Sequence, residues 1–187
     1  MKRNCLVLLI VVFTMLSCAS NTTKNITAQQ QQEFDDLINS EKFEIVFVSA
    51  HPMANTGMQA VANAGLLAPG SNLARIDLLG NPNYMRRVGD SVSASLPYYG
   101  ERQIGGAYNN SKDVGINYDG TPIELTIAKN EKNGSYNMNY SIKNNTENFV
   151  VNGIMYPNGS VSATITSSHR RTISYRGRVG ALPENIE

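Results

Sequence analysis

The last third of the chain alternates apolar and polar residues, and this pattern limits the fold more than any other feature. The alternating runs lie at residues 123–131, 135–143, 148–156, 160–167 and 172–178. Pairs of turn-forming residues separate them: Asn133-Gly134, Asn144-Asn145 and Asn158-Gly159. A two-residue period places successive side chains on opposite faces of a strand, and Asn and Gly accept the positive φ of tight turns. We therefore predict five strands in an antiparallel meander.

A helix is predicted ahead of the strands. Thr27 followed by Gln30 forms a capping-box pattern, which starts a helix that ends near residue 40. Phe34, Leu37 and Ile38 fall on one face of this helix, and the remaining residues are polar. A single narrow apolar stripe predicts a helix that lies on a sheet.

The middle of the chain predicts further strands and one long loop. We expect strands at residues 43–48 and 91–96, a hairpin of 72–79 with 84–88 across Gly80-Asn81-Pro82, a short helix at 58–64 ended by Gly65, and a loop over 98–122. More than seven strands exceed what a small flat sheet usually holds. The predicted fold is mainly β, an antiparallel sandwich or a strongly curled sheet with one N-terminal helix.

The first residues have the features of a bacterial lipoprotein signal. Lys2 and Arg3 precede an uncharged apolar run at 6–16, which is too short to span a bilayer comfortably. Met15-Leu16-Ser17-Cys18 resembles a lipobox, in which the Cys is lipidated with chains such as palmitate. We predict a signal peptide at 1–17, a flexible tether at 18–27 that begins with lipidated Cys18, and one domain at 28–187.

Charge and cysteine content exclude several classes of protein. The 16 Lys and Arg nearly balance the 15 Asp and Glu, so nucleic acid is not an expected partner. Cys5 would leave with the signal and Cys18 would carry the lipid, so the mature domain would have no thiol. Neither His51 nor His169 stands at a metal-ligand spacing. We expect no metal, no cofactor and no identifiable catalytic residue.

Two motifs in the chain resemble those of a known family. The first is Leu96-Pro-Tyr-Tyr-Gly100, preceded by Asp90. The second is Arg171-Thr-Ile-Ser-Tyr-Arg-Gly177, in a segment that Gly159 opens. In this order they resemble the Bacteroidetes lipoproteins of the domain-of-unknown-function family 4251. That family has no established activity, so the resemblance implies a location and a fold rather than a reaction.

The resemblance also implies which side of the membrane the protein occupies. In such lipoproteins, acidic residues soon after the lipidated Cys accompany export to the cell surface. Here residues 19–24 contain none, and the first acid is Glu33. We therefore expect a membrane contact through the lipid anchor, on the periplasmic face of the outer membrane.

Tyr98 and Tyr99 are the first candidate contacts with a ligand or partner. Adjacent tyrosines after a strand can form an aromatic rim on which a sugar, lipid or peptide stacks. The alternative is structural: the strand stops at Pro97, one tyrosine packs inward, and Gly100 takes positive φ.

The final strand supplies three more candidates. A period of two places Arg170, Arg176 and Arg178 on one face, opposite Ile173 and Tyr175. No acid lies between residues 148 and 182, so this region is locally positive. The face is either a solvated edge, where Arg blocks aggregation, or a site for an anionic partner.

Two functions remain open on these observations. The first is a non-enzymatic binding or assembly module whose partner is an unknown envelope protein or glycan. The alternative is a hydrolase that acts on envelope glycan or lipid through the loop carboxylates Glu101, Asp113 and Asp119. Two of these carboxylates facing each other across one cleft would favour the hydrolase.

Overall fold

The computed structural model describes residues 26–53, 56–104, 114–144 and 147–184. Its helices are α1 (Ala28–Asn39) and α2 (Thr56–Asn63). Its strands are β1 (Lys42–Pro52), β2 (Ile76–Asp77), β3 (Tyr84–Val88), β4 (Ser91–Leu96), β5 (Ile116–Gly120), β6 (Glu124–Asn130), β7 (Ser135–Asn144), β8 (Glu147–Met155), β9 (Ser160–Ser167) and β10 (Ile173–Ala181). The predicted signal peptide, Cys18 and most of the tether lie outside the described residues. Within the described ranges, neither helix is long and apolar enough to cross a bilayer.

The strands form one strongly curled antiparallel sheet, as the sequence predicts. Their order is β5-β4-β3-β1-β10-β9-β8-β7-β6, and β2 pairs separately with β1. The curl brings β5 against β7: the hydroxyl oxygens of Tyr118 and Tyr140 lie 2.6 Å apart, and the Asn144 side chain donates to the Asn117 carbonyl at 2.6 Å. The sheet is therefore a half-barrel with the core on its concave side.

The five-strand meander is confirmed. Strands β6 to β10 are neighbours in chain order, and β9 has the predicted bounds. Gly134 and Gly159 adopt φ of +67° and +78°, as tight turns between antiparallel strands require. Local alternation thus determines five of the ten strands.

Helix α1 begins with the predicted capping box and spans the concave side. Thr27 and Gln30 exchange the two reciprocal hydrogen bonds, each of 3.1 Å. Phe34 and Ile38, one turn apart, are buried, and Leu37 packs against the core. The Phe34 ring meets Tyr136 of β7 edge-on, with ring centroids 5.6 Å apart. The helix that precedes β1 therefore also rests on β7, four strands away in the sheet.

The predicted hairpin of residues 72–79 with 84–88 is wrong. Strands β2 and β3 both pair with β1, one beside each half of it. Between them, the Asn83 side chain accepts from the Phe47 amide at 2.8 Å and donates to the Phe47 carbonyl at 3.0 Å. The Asn83 side chain therefore takes the place of strand backbone beside Phe47. After β2 the chain turns and continues antiparallel to β1 into β3.

Strand β10 lies in the middle of the sheet, between β1 and β9, and is not the predicted solvated edge. It starts at Ile173, so Arg170 precedes it and does not share the face of Arg176 and Arg178. The register of β10 with β1 shifts at Val48, where β1 has a bulge. A Cβ on Gly177 would overlap the β1 backbone at this bulge, and only glycine fits there.

The predicted loop over residues 98–122 contains a strand. Its last part forms β5, which pairs with β4 from Ile116 opposite Leu96 to Gly120 opposite Val92. The alternation in β5 is only five residues long, too short to separate from its Gly- and Asn-rich surroundings by pattern alone.

Candidate functional site

The two sequence motifs meet in space at one end of the sheet. The Tyr175 hydroxyl donates to the Pro97 carbonyl at 2.8 Å. The Tyr98 hydroxyl lies 3.0 Å from the carbonyls of both Glu101 and Arg171, to which it donates. The second motif thus binds the backbone of the first, and we call this contact region the motif cluster (Pro97, Tyr98, Glu147, Arg170 and Tyr175).

A buried ion pair lies at the centre of the motif cluster. Arg170 binds Glu147 through two hydrogen bonds, of 2.8 and 3.1 Å, and the two side chains are only 4% and 9% exposed. Glu147 also accepts from the Ser167 hydroxyl and lies 3.8 Å from Arg102. Arg170 donates to the Val114 carbonyl at 3.0 Å as well. All of these contacts are made within the chain. Through them the ion pair holds both ends of the β4–β5 connection against β8 and the start of β10.

The structure places Tyr98 and Tyr99 half-buried and in different surroundings. The Arg170 guanidinium lies 5.2 Å from the centroid of the Tyr98 ring. Burial raises the pKa of Tyr98, although the Arg170 charge acts in the opposite direction. The Tyr99 hydroxyl instead accepts from Asn81 at 3.4 Å. The two side chains do not form one aromatic rim.

Gly100 is a glycine for a different reason from the one predicted. It is not among the described glycines with positive φ. A Cβ there would lie 2.5 Å from the Tyr98 hydroxyl oxygen and 2.7 Å from the ring carbon that carries it. Gly100 makes room for the tyrosine that closes the motif cluster.

The outer face of the sheet carries a depression of about 500 Å³. Its floor is β9, where the small residues Ser160 and Ser162 point outward. Arg178 lies opposite Ser160 and Arg176 opposite Ser162 on β10, while the Tyr156 amide donates to the Ser160 carbonyl on the other side. Small side chains between larger ones produce a groove, which we call the outer trench (Val48, Tyr156, Ser160, Ser162, Arg176 and Arg178).

The two arginines of the outer trench are exposed. Arg178 donates to the Asn158 carbonyl at 3.1 Å, which fixes its guanidinium at the turn end of the trench. Among the ion pairs formed by the described residues, none involves Arg176 or Arg178. Their charges are therefore available to an anion.

His51 lies beside the outer trench and is sensitive to its charge. Its Nε2 is 3.1 Å from the Ser49 hydroxyl oxygen, and its Nδ1 is 3.0 Å from the Ala74 carbonyl oxygen. Burial lowers the pKa of His51, the bond to Ala74 raises it, and the charges of Arg176 and Arg75 lower it further. His51 on β1 thus responds to the electrostatic potential at the β10 side of the trench.

Comparison with known proteins shows the family of the chain. The family model described as a domain of unknown function, DUF4251, matches residues 25–179. This chain belongs to the DUF4251 family. It is similar to a crystal structure of a DUF4251 family protein from Bacteroides eggerthii, with a TM-score of 0.54 and 13% identity over 86% of this chain and 91% of that one. A search of the curated proteins finds no significant match.

In this DUF4251 chain the candidate acids do not share a cleft within the described residues. Glu101 pairs with Arg171 at 3.1 Å, and Asp119 is an exposed residue of β5. Neither lines the outer trench or a second depression of about 290 Å³ beside Pro82 and Leu96. Asp113 lies outside the described residues. No group of three or more His, Cys, Asp or Glu that could hold a metal occurs in the ranges described.

Sequence reasoning identified the trench arginines of this DUF4251 chain but missed the residues around them. Tyr156, Ser160 and Ser162 join Arg176 and Arg178 only through the pairing of β8, β9 and β10. The sequence feature that could have indicated these residues is the run of small, outward-facing residues on β9, next to a turn that carries a tyrosine. Glu147 was missed as well, because its partner lies across an irregular segment before β10.

Proposed function

We propose that this chain is a lipid-anchored binding or assembly module of the cell envelope, which holds a partner and does not transform it. The outer trench carries the proposal. It presents two guanidinium groups that form no ion pair among the described residues, on a rigid, fully paired part of the sheet, whereas Glu101 and Asp119, the two described candidate carboxylates, do not share a cleft. Binding sites of this kind need exposed recognition groups on a stable scaffold, and the trench has both.

Photo-crosslinking in the cells that make the protein tests the binding function. A photoreactive residue at position 162 should yield an adduct whose amount falls when Arg176→Gln and Arg178→Gln are introduced together. The same photoreactive residue at Lys143, an exposed position on β7, is the control. Adducts of equal yield at both positions, or adducts indifferent to the arginines, would contradict a specific partner at the trench.

The anchor is a separate part of the proposal and rests on the residues around Cys18. Replacing Cys18 by Ser should abolish fatty-acid labelling and processing of the chain, because the thiol is the only group at that position that can carry the lipid. Cys5→Ser, inside the signal peptide, should leave labelling unchanged. Labelling that survives in Cys18→Ser would refute this anchor.

The proposed periplasmic side follows from the lack of acidic residues between Cys18 and Glu33. Protease added to intact cells should leave the protein uncut, and permeabilising the outer membrane should expose it. Several acyl chains hold a protein on a bilayer far more firmly than one. Digestion in intact cells would place the domain on the surface instead.

A further inference from the structure

We propose that the outer trench binds an acidic carbohydrate, with carboxylate or phosphate groups on Arg176 and Arg178 and a sugar ring against Tyr156. The proposal rests on the binding function above and names the chemistry of the partner.

The charge of the trench favours an anion with spaced acidic groups. Arg176 and Arg178 are two residues apart on one face of β10, so their Cα atoms are about 7 Å apart. Each guanidinium is a planar fork that matches a carboxylate or a phosphate with two parallel hydrogen bonds. An oligosaccharide with acidic groups on successive sugars presents charges in a comparable row.

The floor of the trench favours sugars over peptides. The hydroxyls of Ser160 and Ser162 both donate and accept, as the hydroxyls of a sugar do. The β9 backbone under them is paired with β8 on one side and β10 on the other. An acidic peptide therefore cannot join the sheet as an added strand and would lose the main-chain hydrogen bonds that usually hold extended peptides.

The walls of the trench favour a narrow ligand over a membrane surface. Tyr156 is 37% exposed and stands across β9 from the arginines, so a ring-shaped ligand can rest on it while its acidic group reaches β10. A bilayer is flat and does not enter a groove. Headgroup recognition also relies on clusters of about four to eight basic residues, and the trench has two.

The experiment is a titration of the purified full-length protein with defined probes. The acidic probes are a short oligogalacturonate and a phosphorylated oligosaccharide, and the neutral probe is the methyl-esterified oligogalacturonate. Poly-glutamate and anionic phospholipid vesicles represent the two other classes of partner. We expect both acidic oligosaccharides to bind, and the methyl ester to bind at least tenfold more weakly because it loses the charge-assisted hydrogen bonds to the guanidinium groups.

Matched variants locate the binding. Arg176→Gln with Arg178→Gln should weaken acidic oligosaccharide binding at least tenfold, whereas Lys132→Gln with Lys143→Gln removes the same charge elsewhere and should not. Tyr156→Phe should bind as the wild type does, and Tyr156→Ala should bind more weakly. Circular dichroism shows whether each variant retains the β fold.

The imidazole resonances of His51 give a readout inside the protein. An anion on Arg176 reduces the positive potential that faces His51 from β10, while the charge of Arg75 is unchanged. Saturation with the acidic oligosaccharide should therefore raise the pKa of His51 in an NMR titration. The ligand should cause no such rise in the double arginine variant.

Several outcomes would overturn the proposal. They are equal affinity for the methyl ester and the acidic oligosaccharides, tighter binding of poly-glutamate than of the acidic oligosaccharides, binding that does not depend on Arg176 and Arg178, or no binding of either acidic oligosaccharide. Binding of anionic vesicles alone would assign the trench to a membrane. If the arginine-dependent crosslink in cells persists while both oligosaccharides fail, the binding function stands and only its acidic-carbohydrate partner is refuted.

Discussion

At the scale of single residues, the buried pair of Glu147 and Arg170 is where a substitution should destabilise most. Glu147→Gln keeps the size of the side chain but leaves the Arg170 guanidinium buried without its counter-charge. We expect the free energy of unfolding to fall by about 3–5 kcal/mol, measured by urea denaturation.

The control for Glu147→Gln is Glu101→Gln, which breaks the neighbouring pair with Arg171. Those two side chains are 58% and 42% exposed, so water screens their attraction. This loss should stay within about 1 kcal/mol. Similar losses in the two variants would show that the buried pair does not stabilise the motif cluster.

A second residue-scale prediction concerns the glycine opposite the β1 bulge. Gly177→Ala places a methyl group against the backbone at Val46 and Phe47, which cannot move aside as a side chain could. The expected loss is about 1–3 kcal/mol, measured by thermal or urea unfolding. Gly180→Ala, on the same strand, has no atom within 4 Å of the added methyl and should be neutral or slightly stabilising. If both variants behave alike, the bulge does not require a glycine.

At the scale of elements, Asp35 ties α1 to the far side of the sheet. It accepts from Lys129 of β6 at 2.6 Å and from Tyr136 of β7 at 3.1 Å. Burial acts to raise the pKa of Asp35, but the hydrogen bonds from Lys129, Gln31 and Tyr136 outweigh it and hold the pKa below 3.8. The carboxylate therefore contributes stability above its unfolded pKa and loses it as the pH falls through the folded value.

We expect Asp35→Asn to lower the free energy of unfolding by about 1 kcal/mol at neutral pH. The difference from wild type should shrink below about pH 4, where the wild-type carboxyl becomes protonated. Asp36→Asn changes an exposed neighbour whose carboxylate accepts from Gln32 of the same helix. A pH-independent loss in Asp35→Asn, or an equal loss in Asp36→Asn, would rule out this tie.

The sequence predicts those elements whose determinants are local. The meander and α1 follow from alternation, turn residues and a capping box, each contained in a few neighbouring residues. The arrangement along β1 does not, because it depends on Asn83 meeting Phe47, 36 residues away. Nothing in the hairpin-like pattern around Asn81 shows that a side chain will replace a strand there.

In the candidate site, too, only the features with local determinants were predictable. Arg176 and Arg178 share a face by simple period, so their common location was predictable. Arg170 was assigned to that face because the two-residue period was extended back past the predicted strand start at residue 172, and the irregular segment before β10 was not visible. The register between strands, which brings Ser160 and Tyr156 to the arginines, is set by the whole sheet.

At the scale of the whole molecule, two tyrosines close the curl. Tyr118 of β5 and Tyr140 of β7 are buried, and their rings meet edge-on at 6.2 Å. Burial raises the pKa of both phenols, and the hydrogen bond with Tyr118 acts to lower the pKa of Tyr140. Because the folded state holds these protons more tightly than the unfolded state, the stability they contribute is complete below about pH 10 and is lost as the pH rises further.

We expect an alkaline titration to distinguish the ionisation of Tyr118 and Tyr140 from that of the exposed tyrosines. In a tyrosinate absorbance titration, Tyr118 and Tyr140 should ionise only as the sheet opens, in step with the loss of the circular dichroism signal. Replacing both by Phe should shift unfolding to higher pH, whereas Tyr156→Phe, at an exposed position, should not. Ionisation of all tyrosines before any loss of structure would contradict this closure.

The central position of β10 has a consequence for the order in which the chain can fold. Strand β1 is made early, yet Phe43 lies opposite Ala181, more than a hundred residues later. Strands β6 to β9 can form hairpins as they emerge, since each pairs with the strand just before it. Backbone pairing joins the two halves of the sheet only when β10 arrives, and until then β1 presents an unpaired, largely apolar edge. Until β10 has emerged and paired, this edge is therefore open to a chaperone or to aggregation.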